Sequence, residues 1–334
     1  MIDQENYSLL RHNTFGIDAK CKRFIEYSSV EEAQQVAEMI TDADQPLLIL
    51  GGGSNLLLTG DYNGTVLHSG IRFLEQTDEC HVRCGSGFIW DDVVDYCVAN
   101  NLYGAENLSI IPGEVGASAV QNIGAYGAEA KDLIECVEAV EIETGQICRF
   151  TNTECAYSYR QSKFKHAWKN RFLITAVTYK LSKTYNPKLD YGNIRVALAA
   201  KGIDNPTAMQ LRETIIDIRN AKLPYPKVLG NAGSFFMNPV VPTHKYNQLA
   251  QQYVGMPHYT IDSEYEKIPA GWLIEQCGWK GKALGKAAVH NKQALVLVNC
   301  GGATGSEVVQ LYKTIQHDVK QKFDIEIKPE VNIC

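Results

Sequence analysis

Between Ile110 and Gly127 the chain reads Ile-Ile-Pro-Gly-Glu-Val-Gly-Ala-Ser-Ala-Val-Gln-Asn-Ile-Gly-Ala-Tyr-Gly, and this run constrains the fold more than any other. Gly113, Gly116, Gly124 and Gly127 alternate with small or apolar residues, and charge is nearly absent. Glycine leaves backbone N–H groups uncovered and tolerates positive φ, so such a run can wrap a flat or phosphorylated ligand closely. Ser118, Gln121 and Asn122 add neutral hydrogen bonders suited to a heterocycle or a diphosphate. A second glycine loop, Gly51-Gly52-Gly53-Ser54-Asn55, follows the apolar run Leu47–Leu50. Two such loops suggest one large cofactor held at two points. A turn-rich β region packed by small residues is the plainer alternative.

The first loop invites comparison with the dinucleotide fingerprint, and the comparison fails. Gly51-x-Gly53 is present, but Leu56 stands at the third glycine position and no helical pattern follows. Leu56–Asp61 reads instead as a strand running into a turn. The fingerprint needs a helix N-terminus as its phosphate anchor, so a nicotinamide Rossmann domain is not supported.

Upstream, Phe24–Tyr27 reads as a strand. Ser29-Val30-Glu31-Glu32 reads as a capping box for a helix with Ala33, Val36, Ala37 and Ile40 on its apolar stripe. With strand Leu47–Leu50 this makes a small βαβ unit. From Thr65 to about Leu181 short strands dominate: Val66–Leu67, His81–Cys84, Val137–Ile142, Ile147–Phe150 and Phe172–Leu181. The helix Asp91–Asn100 interrupts them. Asn186–Lys222 is a hinge-like region with two helical patterns, stopped by Pro224 and Pro226. A last block holds Gly230–Pro239, a helix over Pro269–Cys277, a strand over Ala294–Asn299 and a long helix capped by Thr304-Gly305-Ser306-Glu307. Asp324–Lys328 alternates like a short strand, with Ile325 and Ile327 on one face.

The 334 residues are enough for two or three domains. No apolar run approaches the ~20 residues of a membrane helix, and Met1–Asn6 lacks a signal pattern, so a cytoplasmic protein is expected. The net charge of −6 argues against a nucleic-acid partner. Ten scattered cysteines without a C-x-x-C pair read as reduced, mostly buried thiols. Cys80, His81 and Cys84 are the one metal-like grouping; they sit in a strand with no second pair, and no metal is expected.

Three residues could carry chemistry. Arg160, within Tyr157-Ser158-Tyr159-Arg160-Gln161-Ser162-Lys163-Phe164, could present its planar fork to a carboxylate or enolate, or be a solvated surface charge. Ser234, within Gly230–Pro239, could donate to a developing anion, or cap a turn. It has no neighbouring histidine and no nucleophile elbow. Glu330 is by default a tail carboxylate.

Taken in order, Asn13-Thr14-Phe15-Gly16, Gly51–Asn55, Ile111–Gly127, Tyr157–Phe164, Gly230–Pro239 and Pro329-Glu330-Val331 resemble the UDP-N-acetylenolpyruvoylglucosamine reductase family of peptidoglycan synthesis. The resemblance covers nearly the whole chain. The loop around Tyr191 is similar to the form of the family with a tyrosine-bearing substrate loop, and Met237 stands where some relatives carry lysine. The resemblance implies an α+β protein: an FAD-binding domain of p-cresol methylhydroxylase type in two subdomains (residues 1–65 and 66–215), and a separate α+β substrate-binding domain (216–318). Residues 319–334 are then expected to return to the FAD-binding region.

By match to the family's motifs, Gly51, Gly52, Gly53, Ser54, Asn55, Ile111, Pro112, Gly113, Gly116, Ala117, Ser118, Gln121, Asn122, Gly124, Ala125, Tyr126 and Gly127 would hold tightly bound, non-covalent FAD. Arg160, Ser234 and Glu330 fall on catalytic positions. Tyr191, Lys222 and Asn238 fall on positions that grip the UDP-sugar. The resemblance also implies NADPH as co-substrate, taking turns in one cleft with UDP-N-acetylglucosamine enolpyruvate. A monomer is expected. Hydride from the reduced flavin would reach the terminal enolpyruvyl carbon, Arg160 aided by Glu330 would stabilise the enolate-like carboxylate, and Ser234 would pass a proton to the adjacent carbon. Two alternatives are a flavin oxidase of the same domain type, for which His68 is the nearest covalent-link candidate, and a non-catalytic nucleotide-binding module.

Overall fold

A computed structural model describes residues 1–334, and the chain divides into two compact units. Unit 1 comprises Met1–Tyr7, Cys21–Gly52 and Asn63–Ala221; unit 2 comprises Ser8–Lys20, Gly53–Tyr62 and Lys222–Cys334.

Unit 1 is built on two sheets. In the first, strands Ile2–Ser8, Lys20–Tyr27, Tyr62–Ser69 and Leu47–Leu50 lie in that order, the last two parallel with Leu50 opposite His68. The helix Val30–Met39 buries Ala33, Val36 and Ala37 in one core with Ile25, Leu47 and Leu67, as its spacing predicts. Its cap is only half the expected box. The Ser29 hydroxyl accepts from Glu32 N, but the Glu32 carboxylate accepts from Ser28 N and from the terminal amine. The salt bridge to the amine competes for the carboxylate that would otherwise fold back onto Ser29.

The second sheet is antiparallel, in the order Ile147–Thr151, Ile134–Glu141, Phe172–Lys180, His81–Gly85, Leu74–Gln76. Strand Phe172–Lys180 is central and buried on both faces up to its last residue, which explains its continuous apolar run. Helix Trp90–Ala99 covers this sheet through Trp90, Val93, Val94, Cys97 and Val98. The hinge-like region forms helices Ile194–Ala200 and Ala208–Lys222, which share a small core of Leu189, Ile194, Leu198, Leu211, Ile215 and Ile218.

Within the glycine-rich run, Val115–Gln121 is a helix, which its Gly and Ala content conceals. Packing overrides propensity here: Val115 and Ala119 are fully buried, and Gly116 lies so close to Ser86 that an added Cβ would come within 3.0 Å of the Ser86 Cβ. Asn122 ends the helix in the left-handed conformation, at φ 45°.

Unit 2 has a four-stranded sheet in the order Gly230–Ser234, Val296–Asn299, Ala287–Val289, Ala283–Leu284, and a three-stranded one of Val240–Pro242, Tyr265–Lys267 and Tyr259–Thr260. Helices Thr243–Gln252, Ala270–Gln276 and Gly305–Phe323 complete it. Thr304 and Glu307 form the expected reciprocal cap. Helix Thr243–Gln252 has no forerunner in the sequence reading, because Leu249 is its one buried residue. Asp324–Lys328 is not a strand. Ile325 and Ile327 are buried as the alternation requires, but the segment is held by single bonds, Gln316 Nε2 to Ile327 O at 2.7 Å and Met237 N to Lys328 O at 2.9 Å.

The two compact units follow a different division from the linear boundaries at 65, 215 and 318. Two pieces of the expected first FAD subdomain, Ser8–Lys20 and Gly53–Tyr62, cluster with the C-terminal block, and the changeover lies at Ala221/Lys222. Hydrogen bonding is the reason. Thr14 Oγ1 donates to Asn231 O at 2.6 Å, Asn231 N donates to Thr14 O at 3.0 Å, and Leu56–Leu57 pairs in parallel with Asn332–Ile333.

Candidate active site

In unit 1 the two glycine loops meet. A Cβ on Gly52 would lie 3.3 Å from Gly113 Cα, and one on Gly51 would lie 3.0 Å from Ala117 Cβ. Bare backbone therefore faces bare backbone, with room for neither side chain. The far loop is pinned from behind: Trp90 N donates to Gly113 O, Val115 N to Phe88 O and Gly116 N to Ser86 O. Ile110, where the run begins, is held at φ 48°, a strained value for a β-branched residue. The Asp91 carboxylate over-determines it, accepting from Ile110 N at 2.6 Å while held by Arg212 at 2.7 and 3.0 Å.

Two of the expected cofactor-site side chains also make hydrogen bonds inside the protein. Ser118 Oγ donates to Val115 O and lies 2.7 Å from Tyr179 OH. Asn122 is fully buried, donating to Glu129 Oε2 and Ser158 O and accepting from Lys131 N. Both fix the run's shape. A sequence cannot show which face of an unforeseen helix a serine occupies. Gln121 differs, since its Nε2 is buried without a hydrogen-bond partner.

Arg160 sits at φ 57° in the tight turn closed by Ser158 and Gln161. Its guanidinium donates to Gly124 O at 2.6 Å, which fixes the arginine against the end of the glycine run. Tyr126, next along, makes an edge contact with the half-exposed Tyr191 ring at 6.5 Å, and Gly127 packs on the same tyrosine. A group that sequence reasoning missed lies here too. Arg219 has a buried, unpartnered Nε, burial lowers its pKa, and it lies within electrostatic reach of Asp91 and Arg160. Its signal was masked because the helical stripe of Ala208–Lys222 accounts for the segment without it.

Unit 2 brings together three sequence-distant candidates. Ser234 is exposed at the end of its strand, opposite Val296, while Phe235 and Phe236 behind it are buried. Glu330 N donates to Phe235 O at 2.8 Å, which puts Glu330 beside the serine. Asn55 Nδ2 donates to Glu330 O at 3.3 Å, and Asn55 O accepts from Asn332 N at 3.1 Å. Gly53 closes on His12 so tightly that a Cβ would fall 1.9 Å from its carbonyl oxygen. Asn238 Oδ1 accepts from Ala270 N at the start of helix Ala270–Gln276, and Lys222 is exposed at the end of its own helix.

His68, the covalent-link candidate, is buried with a carboxylate on each ring nitrogen. The cysteines are free; Cys21, Cys84, Cys97, Cys136 and Cys155 are buried, and burial pushes the thiols of Cys21 and Cys155 up to about 11.

The bare backbone where the glycine loops meet, and the buried, unpartnered Gln121 Nε2 and Arg219 Nε of the same unit, are donors of the kind a flat anionic cofactor needs. Residues 21–151 match the FAD binding domain family, and residues 224–334 match the C-terminal domain of UDP-N-acetylenolpyruvoylglucosamine reductase. The protein is thus an FAD-dependent oxidoreductase of α+β class, an FAD-binding domain joined to a family-specific C-terminal domain. A UDP-N-acetylenolpyruvoylglucosamine reductase of Bacteroides fragilis is 53% identical over 98% of this chain and 99% of its own, and one of Flavobacterium johnsoniae is 45% identical over 99% of each. The crystal structure of the reductase from Thermus caldophilus superposes with a TM-score of 0.70 at 20% identity, covering 99% of this chain and 98% of that one. The chain belongs to the UDP-N-acetylenolpyruvoylglucosamine reductase family.

Proposed function

We propose that the chain reduces UDP-N-acetylglucosamine enolpyruvate to UDP-N-acetylmuramate with NADPH as hydride source, as a step in peptidoglycan precursor synthesis. The observation that carries this reading is the adjacency of Ser234 and Glu330, brought side by side from positions 96 apart by the Glu330–Phe235 bond. A binding module has no need of that pair. Bound FAD would supply hydride transfer between NADPH and the enolpyruvyl double bond. Gly51–Asn55 and Ile111–Gly127 are the residues proposed to hold it.

The chain's own part in the chemistry is electrostatic and protonic. Arg160, oriented by Gly124 O, is suited to binding the substrate carboxylate and stabilising the charge that develops on it. Glu330 helps to orient that group. Ser234 donates a proton to the carbon next to the carboxylate; a hydroxyl is a weak acid and serves only against a carbanion-like base, which this centre becomes. Tyr191, Lys222 and Asn238 are proposed to grip the UDP-sugar. A cytoplasmic monomer is the corresponding proposal for where and how the enzyme works. No helix is long and apolar enough to cross a membrane.

The test is a visible spectrum of the purified protein, recorded before and after anaerobic NADPH and again after the enolpyruvyl substrate. Flavin bands should bleach with NADPH and return with substrate. Recovery only in air would point to an oxidase, and bands that NADPH leaves unchanged would point to a binding module.

A further inference from the structure

Beneath the meeting point of the glycine loops lies a buried group of charges that the reaction does not use. His68, next to last in the strand Tyr62–Ser69, lies directly opposite Leu50, the residue before Gly51. Its Nδ1 is 2.8 Å from Glu26 Oε2 on strand Lys20–Tyr27, and its Nε2 is 3.3 Å from Glu114 Oε1. Glu114 is the N-cap residue of helix Val115–Gln121, and its other carboxylate oxygen lies 3.5 Å from where a Gly51 Cβ would be. His68 and Glu114 have 4% and 7% of their side-chain surface exposed, and Glu26 has 23%.

A neutral imidazole has one N–H and can donate to only one of these carboxylates. With both ring nitrogens facing carboxylates, the imidazolium is the form that satisfies the arrangement. Without it, Glu114 would be a nearly buried, unneutralised negative charge directly under a loop whose ligand is itself anionic.

We propose that His68 is a positioning residue for the cofactor: as an imidazolium clamped between Glu26 and Glu114, it offsets the buried Glu114 charge in the floor of the glycine cradle and holds helix Val115–Gln121 against Gly51 and Gly52, so that an anionic dinucleotide can bind. This rests on the reading of those loops as the FAD site. The protonation balance agrees with it. Burial pushes the His68 pKa down, but the hydrogen bonds and charges of Glu114 and then Glu26 outweigh burial and leave it raised. Since the folded pKa lies above the unfolded one, the contribution is complete below the ordinary histidine pKa near 6.5 and is lost as pH rises through the raised value. Tyr27, close enough to feel the Glu114 charge, stays neutral throughout, its pKa pushed above the physiological range by burial.

The experiment uses protein stripped of flavin, its fluorescence titration with FAD repeated from pH 6 to 9, for the natural chain and for His68→Gln. The natural chain should bind FAD more weakly as pH rises. His68→Gln should bind roughly tenfold more weakly at pH 6 and show a flat profile across that transition. Circular dichroism and the melting temperature of the apo-protein report folding separately; a bystander holding only the fold would lower the melting temperature and leave the FAD profile unchanged. Equal FAD affinity for both proteins, or the same pH profile in both, overturns the proposal. If His68→Gln does not fold, a natural chain whose FAD affinity stays constant across the pH range in which NMR shows His68 losing its proton overturns it by itself. Failure of the natural chain to bind FAD at any pH would instead overturn the cofactor reading.

Discussion

Ser234 owes its exposure to its neighbours. Phe235 and Phe236 are 1% exposed, so the strand end is anchored and the serine before them has to face outward. If that hydroxyl is the proton donor, Ser234→Ala should leave flavin reduction by NADPH intact while turnover falls by about 10²–10⁴-fold. Stopped-flow measurement of the two half-reactions decides it, and an equal loss in both would remove the assigned role. At this scale the sequence singles out Arg160, Ser234 and Glu330 as candidates, and the structure puts the first in a turn at φ 57° and the other two side by side. The sequence is silent where a side chain serves the fold. The internal bonds of Ser118 and Asn122, and the buried partner of Glu114, depend on residues 7 to 61 positions away.

Among the elements, the glycine loops show how much of a fold is set by what is missing. Gly53 combines φ 61° with a Cβ position occupied by the His12 carbonyl. Gly53→Ala should therefore cost at least 2–3 kcal/mol, roughly the sum of left-handed strain and a backbone clash. Chemical denaturation is the direct check, and a loss under about 0.5 kcal/mol would mean that the His12 segment yields easily. Strands Leu47–Leu50 and Phe172–Lys180 could be read from their continuous apolar runs, and the capped helix Gly305–Phe323 from the periodic stripe it buries. Helix Val115–Gln121 could not, since its residues are chosen for closeness to Gly51 and Ser86, and that requirement erases the usual helical signature.

The whole molecule is less linear than its sequence. Unit 2 needs Thr14 to bond Asn231, and Leu56–Leu57 to pair with Asn332–Ile333, so the C-terminal block does not hold all of its own structure. A fragment of residues 222–334 produced alone should melt without a cooperative transition, and supplying residues 8–20 and 53–62 as peptides should restore part of it. Calorimetry with and without those peptides tests this; a sharp transition for the bare fragment would show that the block is self-sufficient. The matched family domains, 21–151 and 224–334, are consistent units of sequence that nonetheless do not coincide with the compact units, because hydrogen bonding recruits two short early pieces to the late block.

That recruitment has a consequence for the order of events during synthesis. A chain leaving the ribosome exposes Ser8–Lys20 and Gly53–Tyr62 long before Asn231 or the strand Asn332–Ile333 exists. Leu56, Leu57 and Leu58, all buried in the finished protein, wait for their C-terminal partner through 276 residues of translation, the separation of positions 57 and 333. The nascent chain thus carries a short, sticky leucine run beside one of its glycine loops, and a chaperone that shields such segments would find its client there.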